Sequence, residues 1–293
     1  MESTVKKIKL EKGKNYYFIC YSLVSGGKST LYESMISNIK DDPDYNYTLV
    51  SSDQVRDELA KKLNEKEKDK TYKECFELVG KNTAKEFDRR IENFVKHSEK
   101  DKINIILVDK NYPQGINKFL SKFCQNKELN YIIVLLPNIT NPIKSSKYYY
   151  PYSVDYIIQC YLRLKHRIGH ENLNGDDEDS KYIYLSFLKL FNKFRFETGI
   201  NTDDQYVDNV FYKSISFTDE SNNINFDGEF QKFFSKTMGK IKAFDIPSMK
   251  NNHGEEIESF FKFIEDNYDN KNLFMDTREK IKEEVKDILI NGI

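Results

Sequence analysis

Hydrophobic and polar positions alternate with two different periods along the first half of the chain. Short apolar runs rich in β-branched and aromatic residues predict strands, and apolar positions at helical spacing predict helices. The predicted strands cover residues 17–21, 47–51, 103–108 and 131–137. The predicted helices cover residues 29–40, 54–64, 71–99 and 114–126. Because strands and helices alternate, the pattern predicts an α/β fold with a central parallel sheet flanked by helices.

Three stretches of this pattern predict specific features: a fully buried strand, a long amphipathic helix and a helix start. The run INIILV at 103–108 is apolar throughout, which is typical of a strand buried on both faces. The stretch 71–99 predicts one long amphipathic helix. The apolar positions of that helix are Phe76, Val79, Ala84, Phe87, Ile91, Phe94 and Val95. The helix at 54–64 follows Asp53, an acidic residue of the kind that helix N-caps prefer.

The pattern changes after residue 138. The predicted elements there are a loop at 138–152, helices at 153–168 and 180–194, short alternating stretches over 201–245 and two charged amphipathic helices over 254–293. We therefore predict one domain over residues 14–198, with a helical lid near 153–175. Residues 199–293 are predicted to form a helical or α+β C-terminal extension.

The loop after the first predicted strand carries the clearest chemical signal. In YYFICYSLVSGGKST, residues 16–30, a strand leads into a loop of small residues and then into a helix. This is the context of a phosphate-binding P-loop, whose backbone N–H groups and helix N-terminus point at the phosphates. Lys28 is expected to reach the β- and γ-phosphates, and the Ser29 hydroxyl to ligate Mg²⁺. The predicted nucleotide-binding residues of the loop are Ser25, Gly26, Gly27, Lys28, Ser29 and Thr30. Ser22 stands where the motif usually has its first glycine.

Polar side chains follow two further predicted strands. Ligands bind at the carboxyl ends of strands in parallel sheets, so Asp53, Asp109 and the P-loop are expected to share one edge. Asp53 is a candidate to accept a proton from an attacking hydroxyl, and Arg56, one helical turn later, to bind an anionic acceptor. The alternative is a capping aspartate with a surface arginine. Asp109 occupies the position that holds Mg²⁺ or its water, or it faces the acceptor together with Asn111; a capping role is the alternative.

Composition narrows the range of partners. The chain has 293 residues, with 46 basic and 47 acidic side chains and a net charge of −1, so any anionic partner must be held by a local patch. No run of 18 apolar residues exists, and the N-terminal stretch lacks the apolar core of a signal peptide, so we expect no membrane association. The four cysteines form no CxxC pair, which favours reduced thiols and a cytoplasmic or nuclear location.

A basic segment, Arg163 to His170, follows the predicted helix at 153–168 and is a candidate lid over the phosphates. The alternative is a solvated basic helix end. The four histidines show no metal-binding spacing. Tyrosines at 148–150 and 152 are candidates for stacking on unpaired bases, or else belong to ordinary packing.

Taken in order, these motifs resemble those of polynucleotide 5′-kinases, and most closely the kinase domain of plant and fungal tRNA ligases. The matching stretches are GGKST, SSDQVRDEL, ILVDKN, YYYPYSVDYII and the run from Cys160 to Leu173, of C-x-x-R-x-x-x-R-x-x-H-x-x-L type. The resemblance implies a P-loop kinase that uses ATP or GTP with Mg²⁺, in which Asp53 is the general base and Arg56 contacts the acceptor. It further implies that Arg163 or Arg167 contacts the donor phosphates, and that His170 belongs to the nucleotide site.

The sequence lacks the other motifs of those ligases. It contains no K-x-D-G or K-x-N-G adenylylation motif and no paired HxT motif. The resemblance therefore implies a kinase for the 5′-OH ends of RNA, in RNA repair or tRNA splicing, acting alone or with a separate RNA ligase or phosphodiesterase. Two alternatives stay open: a kinase for a small-molecule hydroxyl, and a P-loop module that binds nucleotide without catalysis.

Overall fold

The computed structural model describes the first half of the chain most completely. The described residues are 10–20, 22–112, 117–123, 129–137, 143–144, 149–150, 154–166, 180, 183–184, 187, 210–215, 254–256, 258–259 and 262. No helix among these residues is long and apolar enough to cross a membrane.

A five-stranded parallel sheet forms the centre of the molecule. Its strands, in chain order, are β1 (Asn15–Cys20), β2 (Tyr45–Ser51), β3 (Ile103–Asp109), β4 (Asn130–Pro137) and β7 (Val210–Ile215), and their spatial order is β2-β3-β1-β4-β7. Two short strands, β5 (Ile143–Lys144) and β6 (Tyr149–Tyr150), pair antiparallel outside this sheet. The described helices are α1 (Lys28–Ile39), α2 (Ser52–Lys66), α3 (Tyr72–Leu78), α4 (Gly80–Lys96), α5 (Asn117–Phe123) and α6 (Val154–Lys165).

The predicted α/β class with a central parallel sheet flanked by helices is confirmed. The first strand leads through the glycine-containing loop into the first helix. The interior strand β1 is buried along its length, and β3 is buried up to its last residue. Side chains on both faces of β1, such as Tyr17 and Phe18, are fully buried. A strand covered on both faces can be apolar throughout, which explains the continuous apolar runs in the sequence.

The long helix predicted over 71–99 is wrong, because the structure has two helices there. α3 begins at a capping box in which Thr71 and Glu74 exchange hydrogen bonds, and Val79 ends α3 and precedes α4 with ψ near zero. Val79 packs with Ala60 and Cys75 in a cluster between α2 and α3, whereas α4 packs on α2 and β2. The chain turns at Val79, so that α4 packs on β2 as well as on α2.

The buried face of α4 also differs from the prediction. Ala84 is exposed, and Thr83 is buried instead, with its hydroxyl donating to the Val79 carbonyl oxygen at 3.0 Å. Phe87 and Ile91 are buried as predicted. The break at Val79 rotates the second helix relative to the first, so one continuous period cannot describe both.

Two differences concern the second half of the chain. The predicted loop at 138–152 contains the short strands β5 and β6, which pair with each other. The strand β7 lies in the segment assigned to a C-terminal extension, yet it pairs with β4 over six register positions and so belongs to the central sheet. Most of the predicted helix at 180–194 and of the predicted helices at 254–293 falls outside the described residues.

A row of asparagines crosses the sheet near the amino-terminal ends of four strands. Asn46, Asn104, Asn15 and Asn130 are successive register partners in β2, β3, β1 and β4. The Asn46 amide donates to Asn104 at 2.9 Å, and the Asn15 amide donates to Asn130 at 2.9 Å. Because a slip by one residue would break these pairs and reverse every side chain, the row fixes the strand register.

Asn104 is the most extensively bonded member of this row, and Asn104→Ala should lower the free energy of unfolding by about 2–4 kcal/mol. Its carbonyl oxygen accepts from Asn46 and from the Glu99 backbone N–H, while its amide donates to the Glu99 carbonyl oxygen at 2.9 Å. Urea unfolding measures the loss. Asn93→Ala, at an exposed position of α4, is the control and should change stability by less than about 0.5 kcal/mol. Equal stabilities of the two variants would contradict the role of the row.

Candidate phosphate-binding site

The carboxyl ends of three adjacent strands form the edge on which the predicted site residues lie. In the sheet, β1 lies beside β3, and β3 lies beside β2. Ser51 and Asp109, the last residues of β2 and β3, are register partners. The glycine-containing loop follows β1, and Asp53 follows β2 by two residues. The prediction that these three segments meet at one edge therefore agrees with the strand order and register.

The loop ends at Gly27, the residue directly before α1. Gly27 has a left-handed backbone conformation, with φ of 85°. Gly26 N–H donates to the Leu23 carbonyl oxygen at 3.1 Å, and Leu31 N–H donates to the Gly27 carbonyl oxygen at 3.0 Å. Within the described residues, no side chain caps the amino end of α1, and the first turn of this helix holds no acidic residue. The first N–H groups of this helix are thus available to an anion, and the helix dipole favours negative charge there. Ser29 and Thr30 lie in this first turn and are exposed.

The departure from the glycine motif at Ser22 has a structural explanation. Among the described non-glycine residues, only Ser25 has a positive φ, at 61°. The backbone of Ser22 therefore needs none of glycine's conformational freedom, and its side chain fits into the interior with 1% exposure. The left-handed backbone positions of this loop are Ser25 and Gly27, three and five residues after Ser22.

Lys28 and Asp109 form an ion pair between the start of α1 and the end of β3. The Lys28 Nζ donates to the Asp109 Oδ1, and each side chain is 14% exposed. The partial burial strengthens the attraction relative to a surface pair. The contact holds the ammonium group of Lys28 directly at the carboxyl end of the sheet, beside the loop.

These residues suit a magnesium ion that arrives with the phosphates. Mg²⁺ in nucleotide sites is usually held by one or two protein oxygens together with phosphate oxygens and water. Ser29 offers an exposed hydroxyl and Asp109 a carboxylate. The part of the chain that the structure describes contains no cluster of three or more acidic, histidine or cysteine side chains that would hold a metal by itself. Ser29 and Asp109 therefore fit a metal only as partners of a bound nucleotide.

Tyr32 ties α1 to the two strands beside the loop. Its hydroxyl accepts from the Cys20 N–H at 2.8 Å, and lies 3.1 Å from the Phe18 carbonyl oxygen and 3.0 Å from the Val108 carbonyl oxygen. Burial raises the pKa of the Tyr32 phenol well above its usual range, so the group stays protonated. Burial also raises the pKa of the neighbouring Cys20 thiol to about 11, so that this thiol stays neutral.

Tyr32→Phe should lower the free energy of unfolding by about 1–3 kcal/mol, because the buried Cys20 N–H loses its acceptor. Cys20 is the last residue of β1, directly before the loop, so nucleotide affinity should fall as well. Thermal unfolding and nucleotide titration measure the two effects. Tyr72→Phe removes a hydroxyl on the surface that donates to Asp57, and it serves as the control with little effect on either. If Tyr32→Phe were as stable as the wild type, the Tyr32 hydroxyl would not be needed to hold α1 against β1 and β3.

The sequence suggested Asp53 as a candidate N-cap of α2. In the structure Asp53 lies in the first turn of α2 and does not cap the helix. The cap is Ser51, whose hydroxyl accepts from the Gln54 N–H at 3.5 Å. Asp53 is exposed, and within the described part of the chain its carboxylate has no bonded partner. The helix therefore does not need Asp53 for its cap, and the carboxylate is available to a ligand at this edge.

Arg56 is held in one orientation by Phe76. The Arg56 Nε donates to the Phe76 carbonyl oxygen at 2.9 Å, and the guanidinium carbon lies 4.0 Å from the centre of the Phe76 ring. This arrangement combines a hydrogen bond with a cation–π contact. It leaves the outer nitrogens of Arg56 as the ones that would bind an anionic acceptor, a role that stays a prediction.

The residues after Asp109 are partly buried. Lys110 places its ammonium group 5.0 Å from the Phe87 ring centre and 5.5 Å from that of Tyr112, and burial lowers its pKa. The side-chain oxygen of Asn111 is buried and has no hydrogen-bond partner within the described structure. An unpartnered buried amide oxygen is unusual and is compatible with the predicted contact between Asn111 and an acceptor.

The predicted lid is only partly described. Arg163 lies in the last turn of α6 and is partly buried, whereas Arg167 and His170 lie outside the described residues. Two basic side chains next to Arg163 face an acidic one: His166 Nε2 lies 2.9 Å from a Glu256 carboxylate oxygen, and Lys165 Nζ lies 3.9 Å from the other oxygen. The roles of Arg163, Arg167 and His170 at the donor phosphates stay predictions.

Several features of the site had no sequence signal. The left-handed backbone of Ser25, the position of Tyr32 between two strands and the contact of Phe76 with Arg56 depend on residues brought together by folding. Phe76 does belong to an apolar helical face, but that pattern does not indicate that its carbonyl and ring hold an arginine.

No family model and no curated protein matches this sequence. Among solved structures, the chain is similar to a fungal RNA kinase, with 13% identity and a TM-score of 0.37 over 96% of this chain and 99% of the other. It is also similar to a gluconokinase from Sinorhizobium meliloti 1021, with 8% identity and a TM-score of 0.36 over 84% of this chain and 98% of the other. Both similarities are too low to inform the function of this chain.

Proposed function

We propose that this protein is a P-loop kinase that transfers the γ-phosphate of ATP or GTP, with Mg²⁺, to the 5′-OH end of RNA. The observation that carries the proposal is the pairing of Lys28 with Asp109 at the sheet edge that Asp53 also borders. A cation, a carboxylate beside it and a second, exposed carboxylate are the groups that phosphoryl transfer to a hydroxyl requires.

The chemistry assigned to these residues is a direct displacement. The 5′-hydroxyl oxygen bonds to the γ-phosphorus while the bond from that phosphorus to the β–γ bridging oxygen breaks, and the nucleoside diphosphate leaves. Asp53 accepts the proton of the hydroxyl. Lys28 and the N–H groups at the start of α1 stabilise the negative charge on the phosphate oxygens. Mg²⁺, when bound with the nucleotide, neutralises further phosphate charge.

RNA is proposed as the acceptor because of the motifs beyond the P-loop. Asp53 and Arg56 follow the second strand, Asp109 and Asn111 follow the third, and their order in the chain is the order in the kinase family that the sequence resembles. With a net charge of −1, the protein offers no broad basic field, so we propose that it contacts only the terminal nucleotides. Such a kinase would serve RNA repair or tRNA splicing by preparing 5′ ends for a separate ligase.

A panel of acceptors tests the proposal. Labelled γ-phosphate is offered from ATP and from GTP to a short 5′-OH RNA, to DNA of the same sequence, and to nucleosides and sugars. RNA of the same sequence with a 5′-phosphate is the control. We expect labelling of the 5′-OH RNA alone or at the highest rate. Labelling only of a nucleoside or sugar would contradict the RNA acceptor and indicate a small-molecule kinase. Nucleotide binding without any labelling would indicate a non-catalytic nucleotide-binding module.

A further inference from the structure

The Ser25 hydroxyl, within the phosphate-binding loop, is buried and has no hydrogen-bond partner in the described structure, although the residue as a whole is partly exposed. Buried hydroxyl groups almost always have a partner, because leaving one unpaired costs its full desolvation. An unpaired hydroxyl inside a ligand-binding loop therefore points to a partner that the bound ligand supplies.

Ser25 combines its unpaired hydroxyl with an unfavourable backbone. Its φ of 61° lies in the left-handed region, which glycine adopts freely and serine does not. The next two residues are glycines, and Gly27 is left-handed as well, with φ of 85°. A glycine at position 25 would remove both the backbone strain and the unpaired hydroxyl. Strained residues of this kind are concentrated at functional sites.

The position of Ser25 indicates which ligand would pair with it. It lies two residues before the uncapped amino end of α1 and three residues before Lys28, whose ammonium group contacts Asp109. The donors around it are backbone N–H groups and a cation, which suit phosphate oxygens. A serine hydroxyl among them can donate one more hydrogen bond to such an oxygen.

We propose that the Ser25 hydroxyl donates a hydrogen bond to a β- or γ-phosphate oxygen of the donor nucleotide. This proposal rests on nucleotide binding by the loop, which is part of the proposed function, but not on the nature of the acceptor. The protein thereby adds a side-chain donor to a loop that usually binds phosphate through its backbone alone. Ser25 would be a nucleotide-binding residue through its hydroxyl, and the strained backbone would persist because it aims that hydroxyl.

The test compares Ser25→Gly with Ser25→Ala by titration with ATP and GTP in Mg²⁺, together with thermal unfolding of the free protein. Both variants lack the hydroxyl, and a lost hydrogen bond to a charged group predicts about 10-fold weaker binding or more. Ser25→Gly also relieves the strained backbone, so its unfolding temperature should rise by roughly 1–3 °C. The unfolding temperature of Ser25→Ala should not rise. Ser37→Ala, at an exposed position of α1, is the control and should bind like the wild type.

Weaker binding by both Ser25→Gly and Ser25→Ala would support the proposal, because the two variants share the loss of the hydroxyl but differ in backbone strain and loop flexibility. Ser25→Gly binding as tightly as the wild type, or more tightly, would overturn it and make Ser25 a tolerated turn residue. Failure of the wild type to bind either nucleotide would overturn this proposal together with nucleotide binding. Nucleotide binding by the wild type without phosphoryl transfer would overturn the kinase proposal. The comparison of the Ser25 variants would still decide whether the Ser25 hydroxyl binds the nucleotide.

Discussion

Lys28→Met should lower the rate of phosphoryl transfer by about 10²- to 10³-fold, because the transition state loses the positive charge that Lys28 supplies. The structure places the Lys28 ammonium group at the Asp109 carboxylate, at the carboxyl end of the sheet. The substitution keeps a long unbranched side chain at the start of α1 and removes only the charge. Single-turnover transfer at saturating nucleotide separates this loss from weaker nucleotide binding, which we also expect.

The main complication for Lys28→Met is the carboxylate that it leaves behind. Asp109 is only 14% exposed, so without Lys28 it retains a poorly solvated charge and stability falls. The double variant Lys28→Met with Asp109→Asn removes that charge and should recover stability without recovering transfer. Lys40→Met, at the exposed carboxyl end of the same helix, is the control. Transfer by Lys28→Met within a few-fold of the wild type would contradict the P-loop assignment.

Asp53→Asn should lower transfer by about 10²- to 10⁴-fold while nucleotide affinity and stability stay close to those of the wild type. The amide is nearly the same size as the carboxylate but cannot accept the proton of the attacking hydroxyl. Because Asp53 is exposed and does not cap α2, the substitution disturbs no packing and no cap hydrogen bond. Single-turnover kinetics, nucleotide titration and thermal unfolding measure the three quantities.

Ser51→Ala is the matched variant for the competing view that this segment only starts a helix. Ser51 supplies the cap hydrogen bond to Gln54, so its loss should lower stability by about 0.5–2 kcal/mol. Its effect on transfer should be small compared with that of Asp53→Asn. If Asp53→Asn instead lost stability and kept its rate, Asp53 would be a structural residue and the general base would have to be sought elsewhere.

The sequence predicts the sheet edge well because its signals are local. A strand that ends in a small-residue loop, and two strands that end at or before an aspartate, can each be recognised within about ten residues. Parallel topology then brings the three ends together without further information. The placement of Lys28 near Asp109 follows from that argument, and the structure shows the contact.

The features that escaped prediction depend on distant residues. The break at Val79 depends on packing against other elements, since α3 packs on α2 and α4 packs on both α2 and β2, while a hydrophobic period indicates only that a face is buried. The asparagine row joins positions up to 115 residues apart, and asparagine is uncommon in strands, so nothing local indicates it. The strand β7 lies 73 residues beyond β4, from Pro137 to Val210, so its place in the sheet cannot be read from neighbouring pattern.

Single-turnover transfer of labelled γ-phosphate to 5′-OH RNA by the wild type and by Asp53→Asn, with nucleotide binding measured on the same samples, tests the central claim most directly. The account predicts label in the 5′-terminal nucleotide with the wild type and a rate at least about 10²-fold lower with Asp53→Asn, at equal nucleotide affinity. Equal rates for the two proteins, or nucleotide binding by the wild type with no label on the RNA from either ATP or GTP, would contradict it.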